Sequence, residues 1–192
     1  MTKEKRKKVY NVALIVIIII LIIPQTRYPI QILINKGITQ IIKPSVIDVL
    51  ERKQFTSYDW QLKDSFGNRF DFQTAEGKVI VINFWATWCP PCIAEMPSLE
   101  KLYRKYEDND NIVFLFVSNE DNSVVNTFMS SKCFTFKTYQ SLTEYPKELK
   151  VSSIPRTFLI SKTGDILIDK SGAADWNSAV VTTAIDDLLT TF

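Results

Sequence analysis

Histidine is absent from the 192 residues, and cysteine occurs only three times. Without histidine there is no imidazole general base, no serine–histidine or cysteine–histidine pair and no imidazole metal site, so any chemistry must use cysteine, carboxylate, lysine or tyrosine. A small secreted domain stapled by disulfides would carry an even and larger set of cysteines. Here Cys89 and Cys92 are close together and Cys133 is distant. A basic patch on the folded part is also missing. Five of the 23 basic residues are Lys3, Lys5, Arg6, Lys7 and Lys8, and without them the chain is slightly acidic. Nucleic-acid binding, which needs cations spread over a face, loses its footprint.

Behind the basic cluster lies an apolar run from Val9 to Ile23, broken only by Tyr10 and Asn11. About fifteen helical residues span roughly 22 Å against a hydrocarbon core of roughly 30 Å, so length also fits the core of a signal peptide. The next residues, Pro24-Gln25-Thr26-Arg27-Tyr28-Pro29, lack the small residues of a cleavage site, and no early cysteine offers a lipidation site. The expectation is an uncleaved signal anchor over residues 1–27, with the basic end in the cytoplasm and the remainder outside; a cleaved peptide with an atypical site is the alternative. Across residues 28–57, Ile30, Ile34, Ile38, Ile41 and Ile42 recur at helical spacing. That stripe suits a helix lying in the membrane interface or one packed on the adjoining domain. Pro44 to about Lys53 reads as a linker.

Residues 58–192 form one domain. Trp60-Gln61-Leu62 and Arg69-Phe70-Asp71-Phe72 flank the turn residues Asp64-Ser65-Phe66-Gly67-Asn68, a hairpin signal. Val79 to Trp85 and Ile112 to Val117 read as strands buried on both faces, and a helix from about Cys89 joins them, kinked at Pro97. Further along come a helix over Ser123 to Met129, a short strand near Phe134 to Phe136, a weaker helical stretch over Leu142 to Leu149, and a second hairpin over Arg156 to Asp169. A last helix, capped by Asp175, runs through Leu189. Hairpin, β-α-β, α, hairpin, α implies an α/β domain with a mixed central sheet flanked by helices.

Cys-x-x-Cys also occurs in zinc sites, but a second pair or histidines to complete four ligands are missing, so no metal is expected. The pair stands where a buried strand meets the first turn of a helix, and unpaired backbone N–H groups there favour a thiolate, the attacking species in disulfide exchange. The stretch Asn83-Phe84-Trp85-Ala86-Thr87-Trp88-Cys89-Pro90-Pro91-Cys92, then Glu95-Met96-Pro97, and Ser153-Ile154-Pro155-Arg156-Thr157-Phe158 later in the chain, resembles the thioredoxin superfamily. More narrowly it is similar to the TlpA/ResA-like membrane-anchored thiol-disulfide oxidoreductases of bacteria. The resemblance covers roughly Tyr58 to Leu189 and implies a thioredoxin-like fold, here preceded by an N-terminal β-hairpin and a transmembrane signal-anchor helix.

The resemblance further implies that Cys89 attacks a partner disulfide, that Cys92 resolves the mixed disulfide, and that Pro155 is the family's cis-proline, exposing the Ile154 backbone to an extended partner segment. A plain trans proline opening an edge strand is the alternative for Pro155. Glu95, three residues after Cys92, is expected to accept and return the Cys92 proton, its pKa raised by partial burial; a dipole partner early in a helix is the other reading. Superfamily members often place a buried Asp where this chain has Asn83, whereas the membrane-anchored group has Asn there with a Glu matching Glu95. Trp88 is expected to shield the site and Trp85 to pack beneath it. Pro90 and Pro91 offer no N–H to the Cys89 sulfur, which points toward a reductant. Cys133 reads as a small buried hydrophobe.

The implied activity is disulfide exchange with disulfide-containing or dithiol proteins, without a cofactor, by a monomer fed by a membrane or extracytoplasmic electron donor. Its setting would be the bacterial cytoplasmic membrane, spanned once, with the catalytic domain on the periplasmic side and the N-terminal helix in the lipid bilayer. A peroxiredoxin-like peroxidase would need a Pro-x-x-x-Thr-x-x-Cys setting that Cys89 lacks. A copper-handling protein would want Cys-x-x-x-Cys and a histidine. A non-catalytic scaffold fits poorly with an intact cysteine pair.

Overall fold

The computed structural model describes residues 3–149 and 151–190; the outermost residues of the expected basic flank and of the expected domain, 1–2 and 191–192, lie outside them. Seven strands form one mixed sheet: β1 (Gln61–Asp64), β2 (Arg69–Asp71), β3 (Val79–Phe84), β4 (Ile112–Val117), β5 (Thr138–Ser141), β6 (Arg156–Ile160) and β7 (Ile166–Ser171), in the order β2-β1-β5-β4-β3-β6-β7. β3, β4 and β5 run parallel, while β1, β2, β6 and β7 pair antiparallel. The helices are α1 (Lys3–Ile22), α2 (Pro24–Thr39), α3 (Pro90–Tyr106), α4 (Asn122–Lys132) and α5 (Ala179–Thr190).

The continuous apolar runs make β3 and β4 the centre of the sheet, because a strand covered on both faces has no side for polar residues. Alternate side chains feed two cores. Val79, Val81, Phe114 and Phe116 pack with Met96, Leu99 and Leu102 of α3 and with Trp176 and Ile185 near the C-terminus. Ile80, Ile82, Phe84, Leu115 and Val117 pack on the other face with Trp60, Leu62, Phe72 and Phe158. Asn83 breaks the apolar series of β3 and is 1% exposed, so its amide must find partners inside the protein.

Both hairpins and the β-α-β unit stand where the hydrophobic patterns predict them. Three expectations are corrected. The strand after α4 is Thr138–Ser141 rather than Phe134–Phe136: Phe136 is buried against Phe116, ring centroids 3.9 Å apart, so its apolar character reflects core filling. The helical stretch over Leu142–Leu149 shrinks to one turn, Lys147–Leu149, because Pro146 biases Tyr145 away from helical angles. The last helix begins at Ala179, not at Asp175. Asp175 instead accepts from the Asn177 N–H at 3.1 Å, closing a local turn that sends Trp176 inward.

One further correction concerns the end of a helix. Cys133 is exposed, not buried, and takes left-handed angles (φ 56°) as the residue that ends α4; that position turns the chain outward after Met129, which fills the interior. At the N-terminus no single helix among the described residues is long and apolar enough to cross a membrane; α1 over Lys3–Ile20 and α2 meet the length and composition needed only together, bent by 88°. The break falls at Ile23-Pro24, where proline takes the first helical position and cannot donate into α1. α2 starts six residues earlier than the isoleucine stripe and packs along α3.

The segment after α2 also runs against the domain. Ile47 N–H donates to Leu167 O and Ile166 N–H to Lys53 O. Gly164 has φ +89°, and a Cβ there would stand 2.6 Å from Phe55 O, so only glycine admits this close approach.

Candidate active site

β3 ends at Phe84, and the Trp85 N–H still donates to Val117 O at 3.0 Å. Four residues later the chain turns into α3, with Cys89 as the residue that caps it and Pro90 and Pro91 in its first turn. Cys89 and Cys92 form a disulfide with Cα atoms 5.3 Å apart, and they are 3% and 1% exposed. With two prolines in the first turn, the Cys92 N–H is the first amide able to serve the Cys89 sulfur, and it donates to Sγ at 3.3 Å. The sulfur of Cys89 therefore sits at the positive end of a 17-residue helix, where a thiolate is favoured.

Glu95 is completely buried, not partly as the sequence suggests. Its Oε1 accepts from Asn83 Nδ2 at 2.9 Å, and its Oε2 accepts from Trp176 Nε1 at 2.9 Å and from the Ala174 N–H at 3.2 Å. Burial pushes the carboxyl up to about 8, against the hydrogen bonds from Trp176, Ala174 and Asn83 and the charge of Lys170, all of which favour the carboxylate. The result is an acid that changes charge near neutral pH, one helical turn from Cys92. Asn83 Nδ2 also donates to Thr157 Oγ1 at 2.7 Å. Its Oδ1 is buried with no hydrogen-bond partner.

The loop before the cysteines is held from two sides. Glu120, just beyond β4, accepts from both the N–H and the hydroxyl of Thr87 at 2.6 Å. From α2, the Tyr28 hydroxyl donates to Thr87 O at 2.8 Å. Burial and the neighbouring Glu120 carboxylate hold the Tyr28 phenol above its usual range, so it remains a donor. Trp88 projects from this loop at 64% exposure, whereas Trp85 is buried beneath it.

Trp88 and Ile154 line one groove of about 640 Å³ with Trp85, Glu120, Tyr145 and Val151. Pro155 is joined to Ile154 by a cis peptide bond and is buried. The chain thus brings the expected residues Trp88, Ile154 and Pro155 to one face, with the cysteines at the head of α3. Cys133 lies apart on the surface after α4. Sequence reasoning missed Trp176, Thr157, Thr87, Glu120 and Tyr28.

Residues 51–185 match the Redoxin family. The chain is 34% identical over 110 residues to the thioredoxin-like protein YneN of Bacillus subtilis (strain 168), covering 56% of this chain and 65% of that one. It is 30% identical over 123 residues to the thiol-disulfide oxidoreductase ResA of Halalkalibacterium halodurans, covering 62% and 68%. It therefore spans about two thirds of the length of these relatives. Among solved structures, a candidate thiol-disulfide oxidoreductase from Bacteroides vulgatus superposes with a TM-score of 0.56 at 34% identity, over 67% of this chain and 90% of that one. A thiol-disulfide isomerase from Corynebacterium glutamicum shares the fold, with a TM-score of 0.58 at 17% identity, over 75% and 100%.

Proposed function

The chain belongs to the Redoxin family, as a ResA-like member of the thioredoxin superfamily, and from that footing we propose that it exchanges disulfides with partner proteins through Cys89 and Cys92, chiefly as a reductase. The observation that carries this reading is the Cys89–Cys92 disulfide at the head of α3 with the buried Glu95 one turn below.

In the reducing direction the Cys89 thiolate attacks one sulfur of a partner disulfide. A Cys89–partner bond forms, the partner S–S bond breaks, and the first partner sulfur leaves as a thiolate that takes a proton from water. Cys92 then loses its proton to the Glu95 carboxylate and attacks Cys89 Sγ. The Cys89–Cys92 bond forms, and the second partner sulfur leaves and is protonated. Two electrons pass from the Cys89/Cys92 dithiol to the partner, and an extracytoplasmic donor restores the dithiol.

Glu95 suits the relay because its carboxyl titrates near 8 and both its states have partners. The carboxylate takes three donors. When it is protonated, a half-turn of the Asn83 amide offers the otherwise orphaned Oδ1 to the acid proton. The groove beside Trp88 gives an extended partner segment a place to lie against Ile154 and Pro155. The lean toward reduction rests on the missing donors at Pro90 and Pro91, since strong oxidants stabilise the reduced thiolate. The N-terminal basic cluster and the exposed apolar α1 support anchoring in the cytoplasmic membrane, with the redox domain on the extracytoplasmic side.

Insulin-disulfide reduction tests this directly. The reduced full chain should turn insulin over, and Cys89→Ser should abolish it. Wild-type turnover in Cys89→Ser would overturn the proposal.

A further inference from the structure

α2 is amphipathic in the wrong sense for a helix that belongs wholly to a water-soluble domain. The side that meets the domain carries Tyr28, Gln31, Ile32, Asn35 and the buried Thr39. At about 100° per residue these fall on one face. The remaining sides carry the isoleucine stripe, of which Ile30 is half-buried and the rest is left in the open with Leu33: Leu33 is 71% exposed, Ile34 57%, Ile38 42%, and Ile41, just past the helix end, 81%. Packing would normally bury the apolar stripe and leave the polar one to water. Here the domain takes a mostly polar side, and most of the apolar stripe is left uncovered.

We propose that the outward stripe of α2 lies in the surface of a lipid bilayer, so that the redox domain is clamped to the membrane rather than tethered loosely beside it. This rests on the reading of α1 as the anchor. Three observations favour lipid as the occupant. The stripe is continuous with α1, whose residues from Val12 to Ile19 are also exposed and apolar and whose start is basic. The 88° bend at Ile23-Pro24 lays α2 in the membrane plane if α1 runs along the normal. Arg27 stands exposed on the same side of α2 as Ile34 and Ile38, where its long chain can reach headgroups. A helix sunk in the interface also relieves the short apolar length of α1.

The clamp fixes where the chemistry happens. Tyr28 of α2 bonds Thr87, two residues before Cys89, so the reactive sulfur is tied to the helix that would lie in the lipid surface. The partner class this favours is one that presents its disulfide close to the membrane surface.

Spin labels on single cysteines, in a Cys133→Ser background with the Cys89–Cys92 disulfide intact, test the placement. The full chain is reconstituted in vesicles of phosphatidylethanolamine and phosphatidylglycerol. Labels at Ile34→Cys and Ile38→Cys should relax several-fold more with oxygen than with a water-soluble nickel chelate, and Lys36→Cys and Gln40→Cys should show the reverse. Ile15→Cys reports α1. If Ile15 is in lipid while Ile34 and Ile38 are in water, the clamp is overturned and the anchor stands; if all three are in water, both fall. Dipolar broadening between Ile34 labels would assign the stripe to a second copy and overturn the clamp. Ile34→Glu/Ile38→Glu should keep its rate with a soluble disulfide and lose several-fold with a lipid-tethered one. Equal losses, or none, would contradict it.

Discussion

Trp176 and Glu95 are 81 residues apart in sequence, yet the indole Nε1 donates to the Glu95 carboxylate at 2.9 Å inside the core. Together with the Ala174 N–H, this donor comes from the turn just before α5. The turn at Asp175 therefore sets the environment of the carboxyl proposed as the proton acceptor for Cys92. Trp176→Phe keeps most of the ring volume and removes the donor. With less to stabilise the carboxylate, the acid should titrate at higher pH, and exchange at neutral pH should fall by about tenfold or more, of the order expected for one hydrogen bond to a charge. The pH–rate profile reads this as an alkaline shift of its midpoint, which a merely loosened fold would not produce.

Glu95→Gln removes the titration altogether. Exchange near pH 7 should slow by about a hundredfold, the lower range for loss of a general acid–base group. The variant should also lose the pH dependence that Glu95 gives to the rate.

The same carboxyl makes a stability prediction with a definite sign. Its pKa rises from 4.5 to about 8 on folding, so the folded state holds the proton more tightly than the unfolded one. Stability from this group is complete below about pH 4.5 and is lost as pH rises through about 8, at up to ~1.4 kcal/mol per pH unit. Denaturant unfolding of the oxidised protein should therefore show Glu95→Gln gaining on the wild type between pH 5 and 9. A constant difference across that range would contradict the assignment.

Glu120→Ala leaves the Thr87 N–H and hydroxyl without their acceptor. The loop carrying Trp88 should loosen, at a cost of about 1–3 kcal/mol. Faster amide exchange at Thr87 and a several-fold slower attack on insulin are the expected readouts.

Cys133→Ser should change little. The thiol is exposed at the end of α4, and surface replacements of this kind usually shift stability by no more than about 0.5 kcal/mol. Unfolding midpoints and insulin turnover should match the wild type.

The sheet and the cysteine pair were legible because their signals are local. Val79 to Phe84 and Ile112 to Val117 announce buried strands by composition, and Cys89 to Cys92 announces the head of a helix by its prolines. Where a residue serves two purposes, the pattern misleads. Phe134 and Phe136 look like a strand but fill the core, and Asp175 looks like a helix cap but closes the turn that delivers Trp176. The depth of Glu95 was hidden for a related reason: its hydrogen-bond donors, Asn83, Ala174 and Trp176, come from separate places in the chain, and only the fold brings them together. The isoleucine stripe of α2 was visible, but its direction was not, since periodicity marks a face without saying what covers it.

The most direct test of the central claim is capture of the mixed disulfide. Cys92→Ser, reduced and mixed with an excess of a disulfide-bonded substrate, should accumulate a covalent adduct located by mass spectrometry at Cys89 and released by dithiothreitol. Cys89→Ser should form none. Equal trapping by the two variants, or an adduct at Cys133 alone, would contradict Cys89 as the attacking residue.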